Sequence, residues 1–237
     1  MKEKTVLLVM AAGVLLLGSA FFKGAEEQEQ MVAAMGEGKN APVVVIDAGH
    51  GGKDPGKVGV NGALEKEINL QIALRLKRLL EQNDIAVVLT REEDKDLASE
   101  QAASRKNEDL RARATLIAET KPIVMISIHQ NSYPEEDVDG AQVFYYAGSD
   151  SGKMLGSRIQ NSLKSEIDDG HHLVAKANKD YYLLKKAACP AVIIECGFLS
   201  NPSEAALLVT EEYQEKLAFA ILLGIMEYIN TKKTTEE

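Results

Sequence analysis

Four residues stand where a chain of this kind can do chemistry: His50, Glu65, His129 and Glu195. His50 lies in Asp47-Ala48-Gly49-His50-Gly51-Gly52, just beyond the β-branched run 43–46. His129 follows the apolar run 123–128, in Ser127-Ile128-His129-Gln130-Asn131. Glu195 closes the apolar run 191–194, in Ile194-Glu195-Cys196-Gly197, and Glu65 opens a helical pattern in Leu64-Glu65-Lys66-Glu67. Two imidazoles and a carboxylate form a catalytic zinc set that leaves a fourth position for water. Zinc brings the pKa of such a water towards about 7, and a further carboxylate then acts as general base and passes the proton to a leaving amine. The natural division puts His50, Glu65 and His129 on the metal and leaves Glu195 as the base. Taken singly, each is weak: a strand-end His is more often structural, and a Glu at a helix start usually just favours the positive end of the dipole. Glu195 is harder to dismiss, because an acid directly after an apolar run is partly buried and then needs a partner or a function. Glu67 rivals Glu65. Two residues apart on a helix means roughly opposite sides, and Ile68 and Ile72 fix the core face without choosing between them.

The elements that must position these residues alternate along the chain. Apolar runs at 43–46, 85–89, 123–128, 142–146 and 191–194 predict strands, the first, third and last being continuous enough to be buried. Helical spacing from Leu64 through Ile68, Ile72, Leu76 and Leu79, and again over 104–119, 152–167 and 213–229, predicts helices between and after them, with Pro122 stopping the second. This order predicts an α/β fold: a single domain with an open, twisted, mostly parallel sheet flanked by helices on both faces. Such sheets bind ligands at the carboxyl ends of their strands, where one rim can gather all four residues from distant parts of the sequence.

The domain is predicted at 42–230. Before it, Lys2 and Lys4 precede an apolar run over 5–22, and small residues at Gly18-Ser19-Ala20 match a signal peptide. The run is also just long enough to span a bilayer, so 1–24 reads as a signal peptide or a membrane anchor. Positive residues ahead of the run keep that end inside and place the rest outside, on the outer face of the cytoplasmic membrane or in the wall. Residues 25–41 read as a linker and 231–237 as a tail. With 27 Lys+Arg against 36 Asp+Glu, the formal charge is −9, which argues against nucleic acid as a partner, because phosphates select for Lys and Arg. Only Cys189 and Cys196 are present, so no disulfide scaffold is expected.

Rival chemistries can be weighed from the same residues. A cysteine amidase using Cys196 and His129 is one, but alternation along a strand sets Cys196 opposite Glu195, so both cannot face one site. The loop 49–54 lacks the spacing and the Ser/Thr after Lys of a phosphate-binding P-loop. His171 and His172 read as an exposed loop rather than a second metal site. Tyr145, Tyr146, Tyr181 and Tyr182 read as packing.

The ordered set of motifs resembles the zinc-dependent N-acetylmuramoyl-L-alanine amidases of bacterial cell walls, the amidase-3 family. It comprises Asp47-Ala48-Gly49-His50-Gly51-Gly52-Lys53-Asp54-Pro55-Gly56, Glu65-Lys66-Glu67 with Asn69-Leu70, Leu89-Thr90-Arg91, Ser127-Ile128-His129-Gln130-Asn131 and Glu195-Cys196-Gly197-Phe198-Leu199-Ser200-Asn201. The resemblance spans about 43–230. It implies Zn2+ on His50, Glu65 and His129, a catalytic Glu195, and peptidoglycan as the partner, and it is what selects Glu65 over Glu67. The chain departs at Ala118, where many relatives have Asn, and at Cys196, where Val is common. A narrower resemblance, carried by 104–113, by 140–146 and by the short domain behind a single apolar segment, is to the germination-specific amidases of spore formers. These strip peptides from muramic acid so that the muramic-δ-lactam of spore cortex can form. A vegetative amidase of cell separation or turnover, and a catalytically inactive wall-binding or scaffold protein, are the alternatives, and an activating protein partner is left open.

Overall fold

The computed structural model describes residues 42–167 and 173–236. The expected leader at 1–24, the linker at 25–41 and His171 and His172 lie outside the described residues. In chain order the elements are β1 (Val43–Ala48), α1 (Glu65–Glu81), β2 (Ala86–Leu89), α2 (Arg105–Thr120), β3 (Val124–Asn131) and β4 (Gln142–Tyr146). They continue with α3 (Asp150–Ile167), β5 (Lys176–Asn178), α4 (Tyr182–Lys186), β6 (Ala191–Phe198), α5 (Pro202–Leu208) and α6 (Glu211–Glu236). Among the described residues no helix is long and apolar enough to cross a membrane.

One sheet runs in the order β2-β1-β3-β6-β4-β5. Strands β2, β1, β3 and β6 are mutually parallel, whereas β4 pairs antiparallel with β6 and carries β5 alongside it. The sheet is therefore mostly parallel, as predicted, with a reversed edge. Side chains alternate across it. Val44, Ile46, Val124, Ile126, Val192 and Ile194 enter a core shared with the apolar stripes of α1, α3 and α6. Val45, Met125, Ala191 and Ile193 enter a smaller core with Ile117 of α2 and Leu183 and Leu184 of α4. Both faces are covered, which is why the central strands read as unbroken apolar runs.

Local sequence explains the helices that matter. In α1 the buried positions Ile68, Ile72, Leu76 and Leu80 recur every fourth residue, one stripe of a 3.6-residue helix. Asn201 caps α5 by accepting from the backbone N–H groups of Ser203 and Glu204, with Pro202 at the first position. Gly224 of α6 lets α3 approach closely, since a Cβ there would lie 2.5 Å from Ile159 Cα.

The structure adds β5, α4 and α5, which carry no pattern long enough to read, and lengthens β3 and β6 to Asn131 and Phe198. Helix α6 also continues through 231–236, residues read from sequence as a tail. No Gly or Pro follows Ile229 to stop it.

Candidate metal centre

On the face that carries Val45, the odd-numbered side chains past the apolar part of each strand are polar: Asp47 on β1, Ser127 and His129 on β3, Glu195 on β6. Register places Asp47 beside Ser127 and His129 beside Glu195. These are the carboxyl ends of parallel strands, where the sheet rule places a ligand.

Beyond Ala48 the backbone turns sharply. His50 has φ 61°, and Gly51 and Gly52 are also positive at 134° and 58°. A left-handed His is strained and persists only where its surroundings over-determine it. Two buried arginines do so. Arg91 donates to the carbonyls of Ala48 (2.9 Å), Gly49 (3.0 Å) and Lys66 (2.7 Å). Arg113 donates to the carbonyls of Ala48 (2.8 Å) and His50 (2.7 Å), and pairs with Asp47 and Asp109, each at 2.8 Å. Burial and the neighbouring Arg113 pull Arg91 down to about 10, which leaves it charged at neutral pH. Asp47 is fully buried. Burial opposes its ionisation, yet Arg113 and a 2.6 Å hydrogen bond from Ser127 hold its carboxyl below the usual range.

Held this way, His50 turns its Nε2 towards Glu65 Oε1 (3.2 Å), while its Nδ1 meets Asp54 Oδ2 at 2.8 Å. The Asp54 contact favours the tautomer with hydrogen on Nδ1 and a free lone pair on Nε2. His129 Nδ1 lies 3.0 Å from the same Glu65 oxygen. The two imidazole rings are 5.0 Å apart between centroids and nearly perpendicular. One nitrogen from each and one Glu65 oxygen all fall within 4.8 Å of one another, a group that could hold a metal ion.

Glu65 is 2% exposed and Glu67 is exposed, so the first turn of α1 presents Glu65 to this space. Its Oε2 accepts from Lys57 N–H (2.8 Å) and its Oε1 from Gln130 N–H (3.1 Å). Burial works against its charge, but bonds to His129 and His50 outweigh it and push the carboxyl far down. The reciprocal effect on His129 raises that imidazole despite its burial. Closeness is built in by glycine: a Cβ on Gly49 would fall 2.3 Å from His129 Cε1, and one on Gly56 2.5 Å from Glu65 Oε2. The donor set, two neutral-capable imidazoles and an ionised carboxylate on one side of a partly open rim, fits zinc and leaves room for a fourth ligand.

Glu195, beside His129, is 7% exposed. Its Oε1 accepts from Tyr181 OH at 3.2 Å, and its Oε2 is buried without a partner among the described residues. Burial, helped by the charge of Glu65 and opposed by that of His129, raises its pKa, which makes the carboxylate a better proton acceptor. Cys196 faces the opposite core, fully buried, with burial pushing its thiol well up. A buried protonated thiol across the sheet from His129 cannot serve as the nucleophile of a cysteine amidase. Both cysteines are free.

All four residues singled out from sequence therefore converge. Sequence reasoning missed Asp54 as the partner of His50, the Asp47–Arg113–Arg91 clamp, and Tyr181, which was read as packing. The clamp residues stood inside quoted motifs, and their signal was a charged residue just past an apolar run, at Asp47 after 43–46 and at Arg91 after 85–89.

Known amidases share the sequence pattern and the fold of this chain. The sequence profile of the amidase-3 family, described as N-acetylmuramoyl-L-alanine amidase, matches residues 44–227. The chain is 39% identical over 193 residues to the germination-specific N-acetylmuramoyl-L-alanine amidase of Bacillus subtilis, covering 80% of this chain and 81% of that protein. Among solved structures, the CwlD amidase from Clostridioides difficile in complex with the GerS lipoprotein superposes with a TM-score of 0.78 at 40% identity, over 80% of this chain and 99% of that one. An N-acetylmuramoyl-L-alanine amidase from Clostridium difficile 630 gives a TM-score of 0.73 at 32% identity, over 82% and 100%.

Proposed function

Because the chain belongs to the amidase-3 family of N-acetylmuramoyl-L-alanine amidases, matched over 44–227, we propose that its His50, Glu65 and His129 hold a catalytic zinc and that Glu195 is the general base. The protein is a hydrolase of the amide between N-acetylmuramic acid and L-alanine in peptidoglycan. When bound, zinc supplies a Lewis acid that acidifies water and polarises the amide carbonyl.

The chain's own residues do the rest. Asp54 fixes His50 with Nε2 inward, and the Arg91–Arg113 clamp fixes the backbone beneath it. Tyr181 ties one oxygen of Glu195, so the other, Oε2, is left to accept a proton from the attacking water. The same oxygen then delivers that proton to the departing α-amine of L-alanine, which would otherwise leave as a strongly basic anion. The observation that carries this reading is the Oε2 of Glu195, buried and without a partner among the described residues, in a residue that lies beside His129 in the sheet.

The role in spore cortex rests on the likeness to the germination-specific relative, and with it the formation of muramic-δ-lactam. Export through residues 5–22 belongs to the same reading. The relative solved with the GerS lipoprotein makes a lipoprotein the class of activating partner to seek. Digesting purified peptidoglycan with and without chelator, and identifying the new termini by mass, tests the function. Free amino-terminal L-alanine that appears only with metal present supports it. Glycan cleavage, or L-alanine release that survives complete metal removal, would overturn it.

A further inference from the structure

Two amide side chains under the metal centre have no part in the chemistry so far: Asn69, in the segment after Glu65, and Gln130, in the segment after His129. Asn69 is fully buried and Gln130 nearly so. Asn69 lies on α1 alongside the buried Ile68, Ile72 and Ala73. Gln130 follows Ile126 and Ile128 at alternate positions of β3, and those two belong to the core shared with α1. A buried amide is costly unless it is hydrogen-bonded, and these two are bonded to each other and to the site.

The Asn69 side chain touches all three stretches that carry a proposed ligand. Its Nδ2 donates to the carbonyl of Gly49, the neighbour of His50, at 3.1 Å, and lies 3.4 Å from Glu65 Oε1, one helical turn back. Its Oδ1 accepts from Nε2 of Gln130, the neighbour of His129, at 3.1 Å. A carbonyl only accepts, so the Gly49 contact fixes which end of the Asn69 amide is the nitrogen. Gln130 closes the ring. The β1–β3 pairing ends at Ala48 and Ile128, and beyond it the Gln130 N–H donates to the same Glu65 oxygen at 3.1 Å. Among the described residues Gln130 Oε1 is buried without a partner. Stability alone does not call for such a pair. Exchanging both members of a buried hydrogen bond for apolar groups of the same shape is nearly neutral or stabilising. Here that exchange would remove the orphaned oxygen, while Gly49 kept Arg91 and Glu65 kept the Gln130 N–H.

From this convergence we infer that Asn69 and Gln130 are positioning residues, a buried amide pair that sets the mutual placement of His50, Glu65 and His129. The inference rests on the reading of those three as zinc ligands. Both amides act through Glu65 and through the backbone beside the two imidazoles. Partners of this kind fix the orientation of ligands, and losing one weakens metal binding by about 10–100-fold. The Gln130 side chain acts through Asn69, so it matters to the metal only while Asn69 is present.

The test uses the full chain as wild type, N69L, Q130M and the double variant. Zinc affinity is read by chelator competition, the stability of the zinc-free protein by denaturant titration, and ligand geometry by the visible absorption of the Co2+-loaded protein. N69L is expected to bind zinc about 10–100-fold more weakly, with an altered cobalt spectrum and, because it strands the Gln130 amide, a lower denaturant midpoint. Q130M should shift zinc affinity the same way and by less. The double variant should regain the wild-type midpoint yet keep the weak zinc affinity and altered spectrum of N69L, since members of one network do not add. Wild-type zinc affinity in N69L would overturn the inference. So would a double variant in which affinity and spectrum return together with stability, as for a pair that only packs. Should N69L not fold, the double variant and Q130M decide on the same three readings. A wild type that binds no zinc would remove the metal reading itself, and this inference with it.

Discussion

Glu195 is tied at one oxygen and, among the described residues, unpartnered at the other, and this asymmetry makes its role separable from metal binding. Glu195→Gln keeps the shape but cannot take a proton. It is expected to retain stoichiometric zinc by elemental analysis and to lose about 10²–10⁴ in turnover; a near-normal rate would remove Glu195 from the mechanism. Asp54 acts one step behind the metal. Asp54→Ala leaves the His50 ring without its Nδ1 partner and should weaken zinc affinity by about 10–100-fold in a chelator competition. These residues differ in how readable they were. His50, His129 and Glu195 stood at the ends of apolar runs, where strand geometry sends a side chain to the rim. Glu65 and Glu67 could not be ranked from helix spacing, because a helix start has no core stripe of its own. Packing resolves them, with Glu65 buried under Lys57 and Gln130. Tyr181 carried no signal, since its contact with Glu195 depends on where the short β5–α4 connection passes over the sheet.

At the scale of elements, the strands with continuous Val and Ile were legible because a sheet covered on both faces demands such runs. The direction of β4 was not. A five-residue strand has the same composition whichever way it runs, and only its pairing with β6, Gln142 opposite Glu195, reveals the reversal. Strand β5, three residues long at the sheet edge, is too short for any periodicity. The close approach of α3 and α6 at Gly224 is a second feature hidden from hydrophobic pattern, because glycine there reads as a weakness rather than a contact. Gly224→Ala would press a methyl against Ile159. It should cost about 1–3 kcal/mol, seen as a lower Tm with zinc content unchanged. An unaltered Tm would mean that the helices part without penalty.

For the whole molecule, acid sensitivity follows from the ion pair under the sheet. Asp47 has a folded pKa below its unfolded value of about 3.9, so it contributes stability at all pH values above that and loses it as pH falls through the folded value. Denaturant titrations should therefore show wild type losing stability below about pH 4. Asp47→Asn, which leaves Arg113 with Asp109 alone, should be weaker by about 3 kcal/mol at pH 7 and flatter below pH 4. An equally steep acid limb in Asp47→Asn would assign the sensitivity elsewhere. The buried arginines have one more consequence. They grip three successive carbonyls, those of residues 48–50, and so hold His50 in its unusual backbone shape whether or not anything is coordinated. Stripping and refilling the centre should then leave far-UV circular dichroism flat. Activity should return as fast as zinc diffuses in, with no lag and no hysteresis, as for a socket that keeps its form when the plug is pulled.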